Sequence, residues 1–272
     1  MFPQDTNHKP IVDGLTLVAI GAIAISFTVA FHEGIHALTC LAVGGDLLEY
    51  SALYEECDSP TAIQAKIVAG SAPTLNLLAG TMFWLILRGW KRPPSKTWFL
   101  LWLLMMMNWF YGAGYFIFSG LSNIGDWAVV IEGWEPSGLI RVFMVIAGIL
   151  LYFLFIRQGL NLFGQMLGGN ADEQLGRANK FFIVPYVTAF AVVLVAGFFC
   201  PYGWPSLPTT AGLFAAGGAL SPFVFMIRWF RTEHFNKPEK APLEIYRRWS
   251  WIGSALIVVF CYVYILGRTL YF

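Results

Sequence analysis

Seven long apolar runs, separated by short polar or charged stretches, recur along the chain. They predict helices at about Asp13 to Gly44, Thr61 to Leu87, Thr97 to Ser119, Gly138 to Phe155, Phe181 to Cys200, Thr209 to Trp229 and Ser250 to Leu266. Each reaches the roughly 17 residues that a helix needs to cross the hydrocarbon core of a bilayer. Gly44-Gly45 ends the first run, and an acidic loop follows with Asp46, Glu49, Glu55, Glu56 and Asp58. Ser59-Pro60-Thr61 reads as a turn that opens the second helix. Within that helix Pro73 follows Gly70-Ser71-Ala72, so it can kink against a neighbour, and Asn76 is an amide that wants a partner in lipid. Gly120 to Trp127 has the glycines and polar groups of an irregular, cavity-lining turn, with Asp126 as the N-cap of a short helix through Val130. Asn161 to Lys180, with Gly168-Gly169-Asn170, reads as a loop containing some helix, while Pro185, Pro222, Gly212, Gly217 and Gly218 serve packing and kinks.

Composition agrees with that pattern. Hydrophobic residues make up 57% of the 272 residues, charged residues only 12%, and mean hydropathy is +0.63. A soluble domain carries about a quarter charged residues. The expected fold is an all-α, multi-pass transmembrane bundle of about seven spans, one integral membrane domain over 1–272, with the lipid bilayer as its partner. A net charge of +1 argues against a nucleic-acid surface. No basic leader precedes the first run, so it reads as a retained span rather than a signal peptide.

Charge then gives orientation. Fourteen of the 17 basic residues fall on one side of the predicted spans, from Lys9 through the loop of Arg88, Lys91, Arg92 and Lys96 to Arg247 and Arg248. Only Lys66, Arg141 and Arg268 fall on the other. The positive-inside bias predicts a cytoplasmic N-terminus and puts the outward half of the first span on the extracytoplasmic side.

That outward half carries His32-Glu33-Gly34-Ile35-His36. Positions i and i+4 share a helix face, so both imidazoles can reach one ion, and Glu33 beside them can take a proton from water: the chemistry of a zinc hydrolase. A catalytic zinc takes a third protein ligand. His8 and His234, the other two histidines, fall on the opposite side. The carboxylates within reach are Asp126, preferred because Gly125 frees the backbone to turn inward, then Glu132 and Glu135, then the acidic loop. So few histidines exclude a desaturase-type di-iron centre. Of the four cysteines, Cys40 and Cys261 lie in apolar runs and read as buried small hydrophobes, whereas Cys57 and Cys200 fall in outward loops and are expected to form a disulfide.

His32-Glu33-Gly34-Ile35-His36-Ala37-Leu38 resembles the first signature of the site-2 protease family of intramembrane zinc metalloproteases. Pro73-Thr74-Leu75-Asn76 resembles that family's Gly-Pro-x-x-Asn segment, and Asn123-Ile124-Gly125-Asp126 stands where its third signature, an Asn followed by Leu-Asp-Gly, belongs. Here Ser71-Ala72 separates Gly70 from the proline, and Trp127 follows Asp126 in place of glycine. The resemblance spans roughly Gly14 to Val130, a protease-like core of three spans, and leaves 137–272 as an additional four-span bundle. It implies zinc held by His32, His36 and Asp126, Glu33 as the general base, and Asn123 or Asn76 contacting the substrate backbone or developing oxyanion. It also implies hydrolysis of membrane-embedded or membrane-proximal peptides. Family members generally hold the metal nearer the cytoplasmic face, opposite to the side the charge count assigns. Two other readings stay open: a seven-span zinc amidase or lipid hydrolase, and a non-enzymatic scaffold or transporter.

Overall fold

A computed structural model describes residues 11–59, 61–167, 171–230 and 242–272. His8, His234, Lys9, Arg231, Lys237, Lys240, Pro60 and Gly168-Gly169-Asn170 lie outside the described residues. Helix α1 spans Gly14–Ala42, α2 Ala62–Arg88, α3 Lys96–Ser122, α4 Asp126–Val130, α5 Ser137–Leu167 and α6 Ala171–Phe198. Helices α7 (Leu207–Leu213) and α8 (Pro222–Phe230) are joined by a π-helical segment, Phe214–Ala219, and α9 (Trp249–Phe260) passes through a second, Cys261–Ile265, into a short 3₁₀ turn. Seven helical stretches among the described residues are long and apolar enough to cross a membrane. The protein is an all-α, seven-span integral membrane bundle.

Side-chain caps start the first three spans. Asp13 accepts the backbone N–H of Thr16 at 2.9 Å, Thr61 that of Gln64 at 3.3 Å and Ser95 that of Trp98 at 3.2 Å. Each satisfies one of the donors a helix start leaves free.

Three parts of the fold differ from the sequence expectation. The acidic loop is a small sheet: β1 (Asp46–Tyr50) and β2 (Glu55–Asp58) form an antiparallel hairpin, and β3 (Leu270–Tyr271) pairs with the far side of β1. Asn161 to Lys180 is helical where described, because Leu162, Phe163, Met166 and Leu167 are buried and carry α5 onward, while α6 begins at Ala171. The cysteines pair differently as well: Cys40 is bonded to Cys57, and Cys200 is free and buried. Cys40 sits at the last turn of α1, from which Gly44 (φ +80°) reverses the chain and brings β2 back over that turn. Cys261, expected to be buried, is exposed.

The last four spans share an apolar core with the first three. Trp102 of α3 packs its ring against Phe163 of α5, Phe182 of α6 and Phe223 of α8, in one continuous apolar core with α1. Chain pairing marks the two ends of the bundle. At one end β3 pairs with β1; at the other, the N–H of Leu243 donates to the Met166 carbonyl and that of Ile245 to Ile11.

Candidate metal centre

His32, Glu33 and His36 occupy successive turns of α1 at the sheet end and are buried, 1%, 7% and 4% exposed. The two imidazoles meet edge to face with centroids 4.9 Å apart. Asp126 reaches them from α4 because the chain makes two left-handed steps just before it. Asn123 (φ 58°) caps α3 and Gly125 (φ +87°) completes the turn, taking the cap position expected of Asp126 itself. Helix α4 then lies close against α2, where a Cβ on Gly70 would come within 3.1 Å of Val130.

The Oδ2 of Asp126 lies 3.3 Å from His32 Nε2 and 3.4 Å from His36 Nε2. Neither contact has hydrogen-bond geometry, so this buried oxygen is without a hydrogen-bond partner. The opposite ring atoms explain why. His36 Nδ1 is 2.8 Å from the backbone carbonyl of Val68 and must donate to it. His32 Nδ1 is 2.6 Å from Asn76 Oδ1. The Asn76 amide is oriented in turn, since its Nδ2 donates to Asn108 Oδ1 at 2.7 Å and Asn108 Nδ2 donates to the Leu104 carbonyl at 2.8 Å. With hydrogen on both Nδ1 atoms, the neutral imidazoles turn bare Nε2 lone pairs towards a carboxylate. A cation, or a single proton on one ring paired with the Asp126 carboxylate, satisfies these converging acceptors; protonating both rings would set two positive charges side by side in a buried site.

Two imidazole nitrogens and one carboxylate oxygen, all within 4.8 Å of one another, form the one group of three such donors among the described residues. That donor set fits zinc with a position left open. Tyr115 stacks on His32 with centroids 4.8 Å apart and fixes the plane of its ring.

The group opens on a cavity of about 1380 Å³, lined on one side by His32, Glu33, His36 and Asp126 and on the others by β2 and α7. Leu121, Ile124, Leu207 and Phe214 line it and remain exposed at its mouth. On β2, Glu55 has an oxygen that is buried without a hydrogen-bond partner, and burial pushes its carboxyl up from the ordinary value.

The structure brings together His32, Glu33, His36 and Asp126 of the residues expected from sequence. It does not bring Asn123 to them: this residue is an exposed helix cap lining a separate hollow of about 590 Å³, together with Glu132 and Glu135, the alternative third ligands. Asn76 is fully buried with both side-chain polar atoms engaged behind His32, so it orients that ring and does not line the cavity. Asn108 was not singled out from sequence. Its signal was an amide within Leu104-Met105-Met106-Met107, where lipid offers no partner. Comparison of the chain with protein-family models, with curated proteins and with solved structures finds no match.

Proposed function

We propose that the protein is an intramembrane zinc metallopeptidase, a divergent relative of the site-2 proteases, cutting peptide bonds of membrane-embedded or membrane-proximal substrates. The observation that carries the reading is the convergence of His32 Nε2, His36 Nε2 and Asp126 Oδ2 on one point, with both other ring nitrogens already donating. A zinc ion held there supplies Lewis acidity, lowering the pKa of water from about 16 towards 7 and polarising a carbonyl. Glu33 lines the same cavity one residue from the first ligand. It takes the proton from the attacking water and returns it to the leaving amine. Asn76 and the Val68 carbonyl fix the tautomers of both ligands, and Tyr115 holds the ring of His32.

A peptide is favoured over a lipid amide by the sheet. Strand β2 stands at its edge, and residues 54–57 line the cavity, so unpaired backbone groups are available to an extended chain. The amidase or lipid-hydrolase reading draws on the apolar mouth of the same cavity. An outward-facing site is supported by the basic residues, with Lys66, Arg141 and Arg268 the described ones at the sheet end, and by the Cys40–Cys57 bond at that end.

The test is hydrolysis of labelled membrane peptides and lipid amides by purified protein reconstituted with zinc. Peptide cleavage abolished by Glu33→Gln supports the reading; cleavage of lipid amide alone moves it to the amidase, and activity indifferent to Glu33 ends it.

A further inference from the structure

The charged groups lining the large cavity are unbalanced. Glu33, Glu55, Glu56 and Asp126 face it with two imidazoles, and no lysine or arginine is among its described lining residues. A dication at the histidine–aspartate group balances Asp126 and one further carboxylate. Glu33, 7% exposed and without a hydrogen bond among the described residues, is taken by proton transfer. Glu55 is then in excess. It stands opposite Tyr50 across the hairpin, and Tyr50 donates to the Ala30 carbonyl of α1 at 3.2 Å, which anchors this part of the sheet beside the histidine motif. Its Oε2 is buried without a hydrogen-bond partner, and two further carboxylates, Asp126 and Glu56, act on it. A desolvated carboxylate in that position is costly unless a donor of positive charge meets it.

A second metal does not supply that charge, because the described residues form one group of three metal donors and Glu55 is outside it. The complement is an organic cation with directional N–H donors, an ammonium or guanidinium, on an aliphatic stem that rests against the apolar wall of Leu53, Leu207 and Phe214. We propose that Glu55 is the specificity-determining residue of the cavity and receives a lysine or arginine side chain of the substrate close to the scissile bond. This deepens the metallopeptidase reading and rests on it for the meaning of "substrate".

Binding separates the two claims. The probes are fluorescent apolar peptides identical except for one central lysine, acetyl-lysine or glutamine, titrated against zinc-loaded full-length protein in phosphatidylcholine nanodiscs. Wild type is expected to bind the lysine peptide about tenfold or more tightly than the other two, as a charge-assisted hydrogen bond to a partly buried carboxylate implies. Glu55→Gln brings the three within about twofold while zinc content is unchanged, and Asp58→Asn, at an exposed position of the same strand outside the cavity lining, keeps the preference. Equal binding of the three peptides by wild type overturns the proposal, and that comparison needs no variant to fold. A preference that survives Glu55→Gln or disappears with Asp58→Asn also overturns it, and loss of zinc from Glu55→Gln would make this residue a metal ligand instead. Hydrolysis is read separately. Glu55-dependent preference without cleavage leaves the recognition site standing and removes the peptidase; cleavage without preference does the reverse.

Discussion

The Nδ1 of His32 lies 2.6 Å from the Oδ1 of Asn76, across the packing of α1 on α2. An interaction behind the histidine–aspartate group thus decides which nitrogen of His32 is free. Asn76→Ala removes the acceptor, and metal affinity is expected to fall about 10- to 100-fold. Competition with a zinc chelator measures it. Asn108→Ala, one bond further back, should cost less, and an unchanged affinity in Asn76→Ala would make the contact incidental.

Removing a ligand is a larger change. His32→Ala, His36→Ala and Asp126→Ala should each reduce bound zinc from one equivalent per chain to a small fraction of it, by elemental analysis of the purified protein. Glu33→Gln should keep the metal and lose catalysis by about 10²- to 10⁴-fold. Full zinc in Asp126→Ala would send the third donor elsewhere.

Thiol chemistry distinguishes the two disulfide assignments. In unreduced, denatured protein, Cys200 and Cys261 should alkylate while Cys40 and Cys57 do not. The bond closes a loop with a sequence separation of 17. Its loss in Cys57→Ser is expected to cost about 3 kcal/mol, visible as a lower melting temperature in detergent.

At the other end of α1, Asp13 gives a pH dependence of known sign. Its bond from the Thr16 N–H, aided by Arg247 at 3.1 Å, holds its carboxyl below the ordinary value. A lowered folded-state pKa stabilises the fold above the unfolded value of about 3.9, and the contribution is lost as pH falls through the folded value. Asp13→Ala should therefore destabilise by about 1 kcal/mol at pH 7. The difference from wild type should shrink below about pH 4, as followed by thermal melts; a constant difference across that range would assign the effect to packing.

The spans and the pairing of His32 with His36 were legible because each signal is local: a run of apolar residues, or two histidines four apart on a helix. Asp126 was legible through Gly125, since a positive φ beside a helix end announces a change of direction. The pairing of Cys40 was not. An apolar neighbourhood in sequence says nothing of the strand that folds back onto it, and Cys200 had an equally good claim from topology. The sheet was hidden for a related reason. Strands of five and four residues, with Asp46 opposite Asp58 and Glu49 opposite Glu56, carry no alternating apolar pattern. Asn161 to Lys180 misled in the opposite sense, because its polar residues obscured the Leu162, Phe163 and Met166 face that buries it as helix.

Gly80 sits one turn along α2 from Asn76, and a Cβ there would collide with the Trp109 ring on α3. That close seat sets the height of α2, and the height of α2 delivers two acceptors, Asn76 Oδ1 and the Val68 carbonyl, to two imidazoles at once. Sliding the helix by one residue, about 1.5 Å, withdraws both together. The orientation of the two imidazoles is accordingly a gauge of how the second helix is seated, and a bulky side chain at Gly80 would be felt at the histidines without touching them.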